Sequence, residues 1–400
     1  MATVLSSAIE VGVWRRVTLF GSLVAILLVC APRSGPAEAL RSQRDLGRAA
    51  EWHRVEQMVG VARKYAEFVA KQEDPLYGYK REYGYPMYLY YLSGMHRSLY
   101  ATTGESRYFA RYLRGAEYAL NQARGYTWEQ YVGDDLAPRE PNPLYNALFV
   151  ELFLDAYDDT RDPKYRAAAD GTAAAISGLL ATQDLATAPQ DYQVLMATTI
   201  SAYLGRTGQR DLDLLALADQ LWSRAWSTYD AGSGRWYYDA YERAVGKFDG
   251  RSAYYELTSA LFFMRRSEEV KATLPGRYSE FRNRLPAVMR AVERFVLPSG
   301  GFFYASAYPD YTESTGQVIW AFEIYDRAFD DDHDDVKERA KVTISQGQDV
   351  DGGFYETPGS SGKGLMYSDN LGWGLAGWAR GGYPSLGPGP GRALIPAVRK

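Results

Sequence analysis

Thr103-Gly104-Glu105-Ser106-Arg107-Tyr108 is a tight polar turn set between two apolar stretches of helical periodicity, and its reading decides the fold. Comparable turns follow at Thr160-Arg161-Asp162-Pro163, which leads into Lys164-Tyr165, and at Arg206-Thr207-Gly208-Gln209, a spacing of roughly 50 residues. A second kind of segment alternates with these turns. It is long, aromatic and marked by glycine: Gly125-Tyr126-Thr127-Trp128, Gly234-Arg235-Trp236-Tyr237-Tyr238, Gly300-Gly301-Phe302-Phe303-Tyr304 and Gly352-Gly353-Phe354-Tyr355. A helical hairpin cannot bury its apolar face alone, so hairpins repeated in this way must stack on one another.

Apolar periodicity and capping signals predict one helix from about Asp45 to Lys71. Pairs follow at about 86–101 and 105–122, 143–158 and 162–181, 191–205 and 210–228, 252–267 and 276–296, and 315–329 and 333–346, before a lone helix at about 369–380. That makes about twelve. If the first helix packs beside the last, six hairpins close into an all-α (α/α)6 toroid; if not, the chain is an open solenoid. Turns within pairs are short, whereas connections between pairs are long, except near 182–190. All long loops should therefore lie on one face, and loops of such length in a compact domain usually carry function.

The rest of the chain is read in three parts. Residues 1–39 read as a secretory signal peptide: Arg15-Arg16, an apolar run from Val17 to Ala31, and Ala37-Glu38-Ala39 as a small-x-small cleavage site. The apolar run is short of the roughly 20 residues a membrane span needs. Residues 40–383 make the toroid, with no Pro/Gly/Ser linker across 45–380, and residues 384–400 form a Gly/Pro-rich tail. The mature protein is expected to be exported, without a membrane span, and monomeric.

Composition narrows the chemistry. A net charge of −4 carries no signature of nucleic-acid binding. The only cysteine, Cys30, lies in the leader, which removes a Cys-ligated zinc and a cysteine nucleophile, and His53, His96 and His333 are isolated. No metal and no cofactor is expected. The aromatic complement is unusual, 33 Tyr and 9 Trp against 15 Phe, and Tyr and Trp combine an apolar face with a polar tip, which suits sugar rings as well as helix contacts. Asp332-His333-Asp334-Asp335 and Gln348-Asp349-Val350-Asp351-Gly352-Gly353-Phe354 spell terpene-cyclase-like strings. The first reads as a solvated helix start and the second as loop grammar, with glycines for the turn and the aromatic packed inward.

On the Gly-aromatic loops, the polar turns and the helix alternation, residues 45–380 resemble the six-hairpin glycosidase-like superfamily. That resemblance implies a toroid acting on oligo- or polysaccharide through loop-borne carboxylates or tyrosines, and it carries no residue-specific signature. The carboxylates on the long-loop face are Asp134 and Asp135 in Tyr131-Val132-Gly133-Asp134-Asp135, Glu256 at the start of an inner helix, and Glu313 in the equivalent place. Glycoside hydrolysis needs two carboxyl groups flanking the bond, and Glu256 as acid with Asp135 as base or nucleophile is the expected pair. At a helix start Glu256 can equally serve the dipole. Tyr254, Trp236, Trp128 and Tyr311 are the expected stacking walls. A uronate lyase or C5-epimerase would instead use Tyr254 or Tyr304 as acid or base, with Arg251 holding the sugar carboxylate. A glycan-binding toroid without catalysis would keep the aromatic rim and lack a convergent acid pair.

Overall fold

Two kinds of helix alternate along the chain, and burial separates them. In the computed structural model the described residues are 55–71, 86–122, 129–131, 138–182, 188–248, 252–303, 312–355, 363 and 369–381. Helices α1 (55–70), α2 (Pro86–Thr103), α3 (Ser106–Gln122), α4 (Pro143–Thr160), α5 (Pro163–Thr182), α6 (Gln190–Thr207) and α7 (Leu212–Ser227) make up the first half. The second half holds α8 (Ala240–Val245), α9 (Ser252–Arg265), α10 (Ser267–Thr273), α11 (Pro275–Glu293), α12 (Thr315–Phe329), α13 (Asp334–Gly347) and α14 (Asp369–Arg380). Two antiparallel ribbons sit in the connections: β1 (Glu129–Tyr131) with β2 (Pro138–Pro141), and β3 (Tyr229–Asp230) with β4 (Arg235–Trp236). Without the short α8 and α10, these are the twelve helices expected.

Helices α4, α6 and α12 are buried along nearly their whole length, as a helix with neighbours on every side must be. So are α9 from Glu256 to Met264 and α14 from Asn370 to Trp378, and α2 is buried over most of its described side chains, whereas the outer helices carry one apolar stripe. In α3 it is Tyr108, Tyr112, Gly115, Ala116 and Ala119, and in α13 it is Val336, Ala340 and Ile344. The buried set forms the inner ring: α2 packs on α4, α4 on α6, α6 on α9, α9 on α12, α12 on α14, and α14 returns to α2. The ring is therefore closed, and the solenoid alternative falls. Each inner helix except α14 is followed by its antiparallel outer partner, so the inner helices run parallel, with their C-termini at the short turns. Those turns need a left-handed residue, supplied by Gly104, Arg161, Gly208 and Asp330.

Closure depends on glycine at two sets of contacts. Helix α14 reads Asp369-Asn370-Leu371-Gly372-Trp373-Gly374-Leu375-Ala376-Gly377 and wedges between α12 and α2. A Cβ on Gly374 would run into the backbone of Gly316 on α12, and one on Gly372 into the Tyr65 ring of α1. Gly374→Ala is expected to destabilise the protein by about 1–3 kcal/mol or more, because backbone on both sides cannot give way; urea unfolding measures it. The second set explains the Gly-aromatic loops. Gly234, Gly300 and Gly352 all have φ between 74° and 94° and press against the backbone carbonyls of Ala287 on α11, Arg339 on α13 and Lys64 on α1 respectively. Two residues after each, Trp236, Phe302 and Phe354 are buried. Each loop thus leans on the next outer helix, and the last of the three leans on α1, which places α1 as the outer partner of α14.

The C-terminal ends of the inner helices are held by a buried ion network. Glu151 accepts from Arg265 at 2.8 Å and Arg266 at 2.6 Å, and Asp155 pairs with Arg97 at 2.5 Å and Arg206 at 2.8 Å. Burial pushes the Glu151 carboxyl up, but Arg266 and Arg265 outweigh it and hold it at about 2. On the side away from Glu151, Arg265 lies over the rings of Trp373, Trp320 and Phe262 at 4.5, 4.9 and 5.3 Å.

The structure departs from the sequence reading locally. The helix expected over 252–267 ends at Arg265, and Ser267–Thr273 forms a separate short helix with Glu268 and Glu269 in its first turn. Helix α8 lies inside a connection read as loop. Among the described residues no helix is long and apolar enough to cross a membrane, and residues 1–39, read as a leader, and 384–400, read as a tail, lie outside them.

Candidate active site at the N-terminal ends of the inner helices

Parallel inner helices bring their N-terminal ends to one end of the ring, and polar residues gather there on four consecutive helices: Gln190 and Asp191 in α6, Tyr254 in the first turn of α9 with Thr258 and Ser259 a turn further on, Glu313 just before α12 with Gln317 inside it, and Asn370 in α14. They form two linked groups. Thr258 Oγ1 donates to Gln317 Oε1 at 3.3 Å, Gln317 Nε2 donates to Asn370 Oδ1 at 3.0 Å, and Asn370 Nδ2 donates to Tyr254 OH at 3.0 Å and to Glu313 Oε1. Every donor in this relay points the same way, so the amides are oriented and Glu313 stands at the accepting end. Ser259 Oγ donates to Gln190 Oε1 at 3.2 Å and joins α9 to α6.

Asp191 differs from Glu313. It is only 4% exposed, its Oδ1 has no hydrogen-bond partner among the described residues, and burial raises its carboxyl to about 8 against the weaker pull of its own and Tyr192's backbone amides. It is therefore protonated at neutral pH. Glu313 is 6% exposed and fixed by Asn370. Two buried carboxyl groups thus stand at one end of the ring in different settings, Asp191 dominated by burial and Glu313 bonded to a side-chain amide.

Glu256, the expected acid, has a different setting. It is fully buried, and its oxygens take the Arg235 Nε–H at 3.0 and 3.3 Å and the Trp236 backbone N–H at 3.1 Å. Burial raises it to about 7, opposed by Arg235 and the Trp236 amide. Its carboxylate is turned onto the β3–β4 ribbon rather than into the Asn370 network. Trp236 is likewise not a stacking wall: its indole packs against Trp226 at 5.0 Å and Phe281 at 5.8 Å, because the loop glycine before it drives the aromatic inward. Tyr254 does belong to the network, and its ring meets Tyr255 edge-on at 5.4 Å. Asp134, Asp135, Trp128, Arg251, Tyr304 and Tyr311 lie outside the described residues, so the Glu256–Asp135 pairing has no geometry here.

Sequence reading passed over Asp191, Asn370 and Gln317. Asp191 follows Pro189-Gln190 after the one short connection on this face, where an acid reads as a dipole partner. The available signal was positional: polar residues recur at the start of inner helices, at Asp191, Glu313 and Asn370.

The amino-acid sequence matches no protein-family model and no curated protein. Solved structures do match in fold. A family 88 glycosyl hydrolase from Bacteroides vulgatus superposes with a TM-score of 0.58 at 16% identity, over 82% of this chain and 98% of its own. An α-mannanase of glycoside hydrolase family 76 from Bacteroides thetaiotaomicron gives 0.57 at 14% identity, over 82% and 95%. Cellobiose 2-epimerase from Bacillus thermoamylovorans gives 0.61 at 13% identity, over 80% and 98%.

Proposed function

From its fold, that of the six-hairpin glycosidase-like superfamily, we propose that this chain is an exported carbohydrate-active enzyme, a glycoside hydrolase whose site lies at the N-terminal ends of α6, α9, α12 and α14. The observation that carries the reading is Asp191: a buried carboxyl, protonated near pH 7, with an oxygen that has no partner among the described residues, on the face where Glu313 is fixed by the Asn370 amide. Asp191 donates its proton to the glycosidic oxygen as the bond breaks. Glu313, oriented by Asn370, assists attack on the anomeric carbon, either by taking a proton from water or directly. Tyr254, partly exposed, and Gln190, whose Nε2 has no partner among the described residues, are the groups offered to sugar hydroxyls, while the fully buried Gln317 and Asn370 orient Tyr254 and Glu313. The hydrolases and the epimerase of the same fold support the substrate class.

Elimination or epimerisation at a uronate is the second reading, favoured by one observation, the placing of the Tyr254 hydroxyl in the same network as Glu313. The two are separated by incubating the mature protein with a panel of neutral and uronate-containing polysaccharides, following reducing ends and the absorbance of an unsaturated uronate. Reducing ends without absorbance are expected. Absorbance with new ends moves the chemistry to Tyr254, and an absence of both over the panel overturns the hydrolase. The leader reading makes Leu40 the first residue of the secreted chain, which N-terminal sequencing of the exported protein checks.

A further inference from the structure

We infer that Glu256 is a positioning residue of this site: through Arg235 and the β3–β4 ribbon it fixes the start of α6, and with it Asp191. The inference rests on the proposed role of Asp191 and extends it to a residue that does not touch substrate. Helix α6 begins at Gln190, and its N-cap position is Pro189, which supplies no side-chain cap. Its first amide, that of Gln190, donates instead to the backbone carbonyl of Tyr238 at 2.9 Å. Tyr238 comes two residues after Trp236, so the cap of α6 is delivered by the ribbon, and the ribbon is held by Glu256.

Other bonds hold the ribbon, Tyr237 N–H to the Thr228 carbonyl at 3.0 Å and Tyr238 N–H to the Glu242 carboxylate at 2.8 Å, but these join it to the segments that flank it, whereas Glu256 joins it to α9. Trp236 is buried among Trp226, Tyr229 and Phe281, which fixes its depth. Direction along α9 comes from the carboxylate, which takes the Trp236 amide and the Arg235 guanidinium together. Arg235 is itself clamped between Phe248 at 4.5 Å and Phe295 at 4.6 Å, and Phe248 stacks on Tyr237 at 4.2 Å with the rings 5° from parallel. The Tyr238 ring then meets Tyr255 at 5.1 Å, next to Tyr254. One clamp therefore reaches both arms of the site, Gln190 and Asp191 on α6 and Tyr254 on α9. This explains why a carboxylate on an inner helix beside the site is committed to donors outside it.

Glu256→Gln keeps the shape but presents one acceptor oxygen where two served, and it turns an amide N–H toward the Arg235 guanidinium. Backbone amide hydrogen exchange in this variant is expected to accelerate about tenfold at Gln190 and Tyr237, the scale of one lost hydrogen bond reported through a local opening. Leu261 and Phe262, in the middle of α9, should exchange at the wild-type rate. Arg235→Lys, which keeps the charge at a partly exposed position and loses the planar fork, should give the same pattern. Unchanged exchange at Gln190, or acceleration there in step with Leu261 and Phe262, overturns the inference, since a residue that merely stabilises the fold moves all four together. A readout specific to positioning is the shift in melting temperature that Asp191→Asn produces at pH 8, which should shrink when Glu256→Gln lets water reach Asp191. The failures are distinguishable: Asp191→Asn with undiminished saccharide turnover removes the hydrolase reading and leaves the exchange result standing, whereas uniform exchange removes the clamp and leaves the chemistry of Asp191 standing.

Discussion

Asp191→Asn is expected to reduce saccharide turnover by about 10²–10⁴-fold while making the protein more stable above neutral pH, and the conjunction of the two is the stronger test. The loss follows from removing the proton that leaves with the glycosidic oxygen; an amide of the same shape binds but cannot donate it. The gain follows from linkage. Burial raises the folded-state carboxyl to about 8, above its ordinary value of 3.8. Below the ordinary value both folded and unfolded chains hold the proton, and the full stability is present. As pH rises through the interval the unfolded chain ionises and the folded chain does not, so stability falls until the folded group also ionises. Each pH unit within the interval costs up to about 1.4 kcal/mol. The amide of the variant does not titrate, so thermal melting at pH 4 and pH 8 should show it gaining on wild type toward pH 8. The raised Glu256 slopes in the same direction in both proteins and cancels from the difference. Equal pH slopes in wild type and variant would mean that Asp191 is ionised in the folded protein, and the proposed acid would be lost with it.

Glu151→Gln is expected to give the largest loss of stability, about 3–5 kcal/mol, a substantial part of the roughly 5–15 kcal/mol that separates a folded domain from its unfolded chain. Both guanidiniums that face Glu151, from Arg265 and Arg266, are buried, and neither can lose its proton. An amide leaves them as like charges without an anion between them, with Glu269 and Asp155 reaching Arg266 only at 3.5 and 3.6 Å. Asp158→Asn is the control: Asp158 accepts from Arg206 at 2.6 Å, but it sits at the exposed rim of the same network, and its loss should cost about 1 kcal/mol or less. Urea unfolding of the two variants side by side measures the contrast. Similar losses from both would mean that the network acts through its summed charge rather than through burial.

Repeats made the architecture readable. The positions of the polar turns, the alternation of short and long connections, and the inward packing of Phe302 and Phe354 all follow from local chemistry: a left-handed residue ends a helix, and a glycine lets a loop press on a neighbouring backbone. Closure was left as a choice by the sequence, and it was decided by close approaches at Gly374 and Gly352 between segments some 60 and 290 residues apart in the chain. The site was legible only in outline. Glu313 and Tyr254, named from the sequence because each lies at the head of an inner helix, fall within the proposed site.

Glu256 and Asp191 mark where local reading stops. Both are acids in the first turn or so of an inner helix, and from sequence each is a dipole partner or a proton donor. The difference comes from what the fold brings to them. Arg235 and the Trp236 amide, about 20 residues upstream, reach Glu256 through a ribbon that folds back onto α9. Asp191 receives burial with no side-chain donor for Oδ1 among the described residues. Residue order alone set which groups could ionise, where the helices begin and end, and that their faces must pair. Which carboxyl keeps its proton was settled in the folded chain, because that depends on desolvation and on donors from distant segments, neither of which is a property of a residue and its neighbours in the chain.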